Sequence, residues 1–149
     1  MFGAGRQRKF FFMKEQEKLP QHLKHKPIIS VYNFKEIDAS YANKTDVKAL
    51  SIGSAQWDSD QISLKVWRHT GVKWNRQSEE LPIHRNLDLS ILFLAALSTD
   101  VSDCYSKSNL GETVDNQEGV QDIKAFYKEN EKFIKPRLKE LKRLLDEIV

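Results

Sequence analysis

Two stretches of this chain alternate residue by residue, and that alternation restricts the fold more than any other feature. Lys48 to Trp57 and Gln61 to His69 both repeat with a period of two, separated by Asp58-Ser59-Asp60. A period of two belongs to a strand with one face turned to a core, so the pair is expected to form an antiparallel hairpin. In the second stretch Ile62, Leu64 and Val66 point one way, and Ser63, Lys65, Trp67 and His69 point the other. The first stretch has a small-residue face, Ala49, Ser51, Gly53 and Ala55, opposite Leu50 and Ile52. Small residues let a helix or another backbone approach closely. A one-residue change in the turn exchanges the faces, so alternation alone leaves open which one meets the core.

The flanking sequence completes the outline. Thr70-Gly71 fits a two-residue turn into a third strand, Val72 to Gln77. That register sets His69 opposite Val72, Trp67 opposite Trp74 and Lys65 opposite Arg76. Opposed tryptophans stabilise a hairpin by roughly 0.2–1 kcal/mol over an alanine pair. Upstream, residues 14–27 are polar, contain Pro20 and Pro27, and read as a flexible arm. Ile28 to Tyr32 is β-prone, Phe34 to Ala42 fits a helical turn, and residues 43–46 form a loop.

Downstream, Pro82 suits the first turn of a helix, where its missing N–H is not needed. Ile83 to Leu97 is apolar on nearly every side after Leu87, the pattern of a buried central helix. Ser98 to Asn116, rich in Ser, Asp, Asn and Gly, reads as a long irregular connection. From Gly119 to Val149, Ile123, Tyr127, Ile134, Leu138, Leu141, Leu145 and Ile148 recur at three- and four-residue steps, which predicts a long amphipathic helix. Pro136 is expected to bend or break it near Lys135. The expected fold is α+β: a small antiparallel sheet of three or four strands, a buried central helix and a long C-terminal helix. An arm over residues 1–27 precedes a single domain over 28–149.

Composition narrows the function classes. A hydrophobic share of 40% and a charged share of 30% fit a globular protein. The longest apolar run, Leu87 to Leu97, is too short to span a bilayer and contains Asp88 and Ser90. The single cysteine, Cys104, forms no internal disulfide framework and favours a reducing, cytoplasmic setting. Residues 1–26 carry a net +5 of the chain's total +3, so the remainder carries −2. That distribution argues against nucleic acid as a partner, because a phosphate-tracking domain keeps its basic excess on the folded surface.

Candidate chemistry concentrates between Lys65 and Asp88. Trp67 and Trp74 on one hairpin face, edged by Lys65, His69 and Arg76, have the ingredients to stack a base and neutralise phosphate. His84 and Arg85 at a helix start add donors for an anion. The expected ligand-binding set is therefore Lys65, Trp67, His69, Trp74, Arg76, His84 and Arg85. The structural alternative is an ordinary cross-strand tryptophan pair covered by core.

Glu79, Glu80 and His84 are the residues a hydrolase would use as acid or base. No nucleophile or metal set accompanies them, and the reading leans away from an enzyme. His84 with Asp88, or His22 with His25, supplies two ligands where zinc needs three or four, so no cofactor or metal is expected. A lysine stripe, Lys128, Lys132, Lys135, Lys139 and Lys142, flanks the C-terminal apolar stripe. From Asp115 onward acids and bases number eight each, which marks the lysines as a solvated flank.

The phrases KTDVKALSIGSAQW, ISLKVWRHT and KWNRQSEELPIHRNLDLSIL resemble a small bacterial family classed as a domain of unknown function, over about residues 19–97. The resemblance implies a bacterial or phage context and no mechanism. The leading expectation is a non-catalytic protein that holds a small anionic ligand, such as a nucleotide, for sensing or sequestration. The alternative is a protein-interaction or oligomeric structural protein, a homo-oligomer through the C-terminal helix.

Residues 1–12, MFGAGRQRKFFF, differ in character from the polar stretch after Met13 and lack a secretory cleavage site, so Met13 is expected to be the true start. An intact mass of the natively expressed protein that begins at Met13 is the expected result; a mass that includes Met1 would refute it.

Overall fold

The structure, a computed structural model, describes residues 18–75, 78–102 and 105–149. They fall into two compact units divided between Ile83 and His84.

The first unit is an antiparallel sheet in which strand order follows chain order, β1-β2-β3-β4. The strands are β1 (Lys26–Val31), β2 (Val47–Ala55), β3 (Asp58–Arg68) and β4 (Glu80–Pro82). Two short 3-10 turns, Phe34–Ile37 and Ala39–Tyr41, link β1 to β2. The hairpin turns at Gln56-Trp57, with Ala55 opposite Asp58. The expected Asp58-Ser59-Asp60 turn is thus corrected: those residues already belong to β3, and a register shift between Ser54 and Ala55 absorbs the difference.

The register places Ala49 opposite Trp67, Ser51 opposite Lys65 and Gly53 opposite Ser63. The small-residue face of β2 and the Trp67 face of β3 are therefore one surface, and it is the buried one. Its apolar core is Leu19, Ala49 and Trp67, with Tyr32 and Trp74 packed against it. Leu19 comes from the segment expected to be a flexible arm. Its backbone N–H donates to the Tyr32 hydroxyl at 3.0 Å. Residues 18–25 instead contribute Leu19 and His25 to the interior, because the small side chains of β2 leave room above them.

Gly53 shows how close that approach is. A Cβ built there would lie 2.0 Å from the carbonyl oxygen of Lys26. At this point the β1–β2 register slips by one residue between Pro27 and Ile29, so β1 bulges where Pro27 has no N–H to give.

The third strand expected over Val72 to Gln77 is also corrected in its described part, residues 72–75, Arg76 and Gln77 lying outside the described residues. His69 bridges Trp74, not Val72, and Thr70 to Lys73 form a four-residue loop closed by Thr70 N–H donating to the Lys73 carbonyl at 2.9 Å. The Thr70 hydroxyl accepts from the backbone of Val72 and Lys73, which favours the wider turn over Thr70-Gly71 alone. The place beside β3 is taken by β4, so Lys65 faces Glu80 rather than Arg76.

The second unit holds α2 (Gln117–Glu129), α3 (Glu131–Ile148) and nearly all of α1 (Ile83–Leu97). α1 has the expected bounds but not the expected burial. Ala95 is its one buried residue, while Leu87, Leu89, Leu92 and Leu94 are exposed. Within this unit Leu92 and Ala96 of α1, with Val120 and Ile123 of α2, border a cavity of about 350 Å³, and the rest of the apolar circumference exceeds what is there to cover it.

The C-terminal helix breaks at Asn130 rather than near Lys135. Asn130 caps both sides: its N–H and side-chain amide donate to the Phe126 carbonyl, and its own carbonyl accepts from Phe133 and Ile134. A short amide that bonds locally to backbone interrupts a helix readily. With the break made there, α3 continues through Pro136.

Gly53→Ala is expected to cost about 1–3 kcal/mol in urea unfolding, since backbone must move to admit one methyl. An unchanged midpoint would show that β1 is not held against β2 as described.

Candidate functional site

The face of the sheet that buries Trp67 also buries a chain of polar groups drawn from four segments. Alternation puts Ser51 on β2 and Ser63, Lys65 and Trp67 on β3 on the same side; pairing of Lys65 with Glu80 brings in β4; and the segment before β1 lays His25 over them. His25, Ser51 and Ser63 are all buried, and the Glu80 side chain is 2% exposed.

The donors and acceptors leave one consistent arrangement. A carboxylate only accepts, so Ser63 donates its hydroxyl proton to Glu80 Oε2, at 2.7 Å. The Ser63 oxygen is then the acceptor for His25 Nδ1, at 2.9 Å, which makes Nδ1 the protonated nitrogen. His25 Nε2 keeps a lone pair and accepts from the Ser51 hydroxyl, also at 2.9 Å. The Ser51 oxygen receives the indole N–H of Trp67 at 2.8 Å. Glu80 Oε2 also takes the backbone N–H of Gln56 from the hairpin turn, at 3.0 Å. From Trp67 to Glu80 every donor points the same way, and the arrangement closes with a neutral imidazole.

Burial, the largest influence, holds His25 below the ordinary histidine range; nearby Glu80 pulls it up and Lys65 pushes it down. An imidazolium would donate from both nitrogens and leave the Ser51 hydroxyl without its acceptor. Glu80 Oε1 is buried with no hydrogen-bond partner among the described residues, and the Lys65 ammonium stands 3.9 Å away. Burial likewise lowers the Lys65 pKa against the pull of Glu80. Lys65 Nζ also sits 4.2 Å from the centre of the Trp67 ring.

The sequence-predicted site residues are distributed differently from the plate envisaged for them. Trp67 is 1% exposed and its ring is enclosed edge-to-face by His25 and Trp74, at 5.8 and 5.6 Å, with Lys65 above. Trp74 is half-buried and meets His69 edge-to-face at 4.8 Å, while His69 Nδ1 accepts from the Gly71 N–H. Trp67 and Trp74 do touch, as expected, but not as an open stacking surface. Arg76 and Cys104 lie outside the described residues. His84 and Arg85 are exposed at the head of the second unit.

Glu79 and Glu80, considered together as acid or base, point apart. Glu79 joins Asp46 on the Arg68 guanidinium, at 2.8 and 2.6 Å, and the hydrogen bond from Arg68 is the main cause lowering its pKa. Sequence reasoning names His25 only as half of an insufficient metal pair with His22, and Ser51 and Ser63 only as members of their strand faces. The signal present is two serines on the face that carries Trp67, where a buried hydroxyl needs a partner. Among the described residues no three His, Cys, Asp or Glu side chains gather as a metal site, and no helix is long and apolar enough to cross a membrane.

A second exposed feature lies on α3. From Lys139 onward every residue is exposed, yet Leu141, Leu144, Leu145 and Ile148 are among them. Lys135 and Lys142 make ion pairs one turn away with Glu131 and Asp146, at 3.1 and 3.0 Å, and Arg143 is held by Glu140 and Glu147, both at 2.7 Å.

A four-stranded sheet locked by a buried polar chain, followed by three helices, defines a small α+β protein. The chain belongs to the family of unknown function DUF6530, which matches residues 17–113. The match spans the whole sheet and α1; α2 and α3 lie outside it. No curated protein and no solved structure matches the chain.

Ser63→Ala removes the acceptor of His25 Nδ1 and one of the two donors to Glu80 Oε2, and is expected to cost roughly 1–3 kcal/mol for the buried imidazole N–H left unpaired. A folded-state histidine pKa below the unfolded value means the unfolded chain binds the extra proton first as pH falls. Stability is therefore expected to be full above about pH 6.5 and to decline below it, with the slope flattened in His25→Asn, as measured by urea unfolding from pH 5 to 8. Equal slopes for the two proteins would exclude His25 as the cause.

Proposed function

We propose that the chain is a non-catalytic interaction protein that docks a partner along the exposed half of α3. One observation carries this reading: Leu141 and Leu145 are 48% and 55% exposed on one stripe of a helix, beside Lys142 and Arg143, which pair with acids of the same helix. An amphipathic helix gains its stability in water mainly from covering such a stripe. The long C-terminal periodicity thus supports the interaction reading over the anionic-ligand reading. A ligand on the hairpin would need the Trp67 ring and the Lys65 charge, and both are engaged inside the unit.

Leu141→Asp with Leu145→Asp is expected to leave the denaturant midpoint of the sheet unit unchanged and to cost the whole chain no more than about 1 kcal/mol, as for surface sites. Loss on the scale of buried leucines, roughly 2–5 kcal/mol each, would mean the stripe is packed within the chain and would end this reading.

A further inference from the structure

We infer that the partner of α3 is an amphipathic helix with acidic flanks from another protein, and not a second copy of this chain. The inference rests on the docking reading above and adds the chemistry of the occupant. Ile134, Leu138, Leu141, Leu145 and Ile148 are spaced 4-3-4-3, the alternation of a two-helix seam, half-buried at the first two and exposed at the last three. Residues beside the seam then decide who fits. Lys135 and Lys142 occupy one flanking position of successive repeats; Arg137 and Leu144 occupy the other.

Self-pairing meets like charge in either direction. In a parallel pair the flank carrying Arg137 faces the copy's flank carrying Lys142. In an antiparallel pair each flank meets itself, so Lys135 and Lys142 face the same two lysines. Cation against cation disfavours both, and such flanks set partner choice in helix pairs.

The ion pairs within α3 reduce this charge without reversing it. The lysine flank holds Lys132, Lys135, Lys139 and Lys142 against Glu131 and Asp146, whereas the opposite flank balances Arg137 and Arg143 with Glu140 and Glu147. Exposed pairs of this kind contribute little and exchange readily for a better acceptor. A helix presenting Glu or Asp beside its own apolar seam supplies those acceptors on the side where α3 is in excess. A lipid surface fits less well, because the four acids of α3 would sit against anionic headgroups and the seam is narrower than an interfacial face.

The test uses the full chain and two labelled synthetic three-heptad helices, both with leucine seams, one flanked by Glu and one by Lys. Fluorescence anisotropy is expected to show the Glu-flanked helix binding at least about tenfold more tightly, with the preference shrinking as salt rises. Lys135→Glu with Lys142→Glu is expected to invert the preference. Equal binding of both helices overturns the acidic-partner inference while leaving docking on α3 intact. Binding of neither overturns it as well. A free chain that sediments as a dimer, and as a monomer once Leu141→Asp and Leu145→Asp are introduced, overturns it in favour of a second copy. Capture by phosphatidylserine vesicles with no binding to the Glu-flanked helix overturns it in favour of a lipid surface.

Discussion

The first unit depends on a single buried histidine that has been made to fit without charge. His25 reaches two strands at once, Ser51 on β2 and Ser63 on β3, and through Ser63 it is coupled to Glu80 on β4. Ordering groups this polar in an interior is unfavourable unless each finds its partner, and a half-satisfied set would be worse than an apolar filling. Here the direction of every donor is set by the two ends, an indole that can only donate and a carboxylate that can only accept. The sheet's register, the closeness of β1 to Gly53 and the seating of Trp67 all have to be right for that chain to close.

Much of the architecture is readable from periodicity, and the failures have local physical causes. Period-two alternation locates β2 and β3 because one face is truly buried, and Pro82 and the polar run after Leu97 bound α1 correctly. The turn at Gln56-Trp57 escapes sequence reasoning because Asp58-Ser59-Asp60 has better turn composition, while β3 tolerates the acids by leaving them exposed. Backbone chemistry points to Pro136 for the helix break, but Asn130 offers both neighbouring helices their end caps. The apolar content of α1 says that a cover is wanted and not where it comes from.

The candidate site is legible only in part. Lys65, Trp67, Trp74 and Glu80 are marked by residue type, and all four prove to be in or beside the polar chain. Their role changes because the side they share is the inner one. His25 is hidden in a polar segment between prolines, and nothing in its neighbours signals that this stretch folds back over the sheet. Long-range placement of that kind depends on shape, on the absence of side chain at Gly53 and the small faces of Ala49 and Ser51, and is not written in any short motif.

The two margins of the sheet bear on how this protein can be recognised at all. An open sheet invites strand addition wherever an outer strand presents a free, regular row of N–H and C=O groups. β1 carries Lys26 and Pro27 and bulges at its start, and β4 is three residues long and ends in Pro82. The β4 margin is thus too short to template another strand, while β1 beyond its bulge keeps a regular stretch over residues 29–31, with Ile28, Ile29 and Val31 exposed. Main-chain recognition, where it occurs, is confined to that one margin, and at the other association is left to side chains.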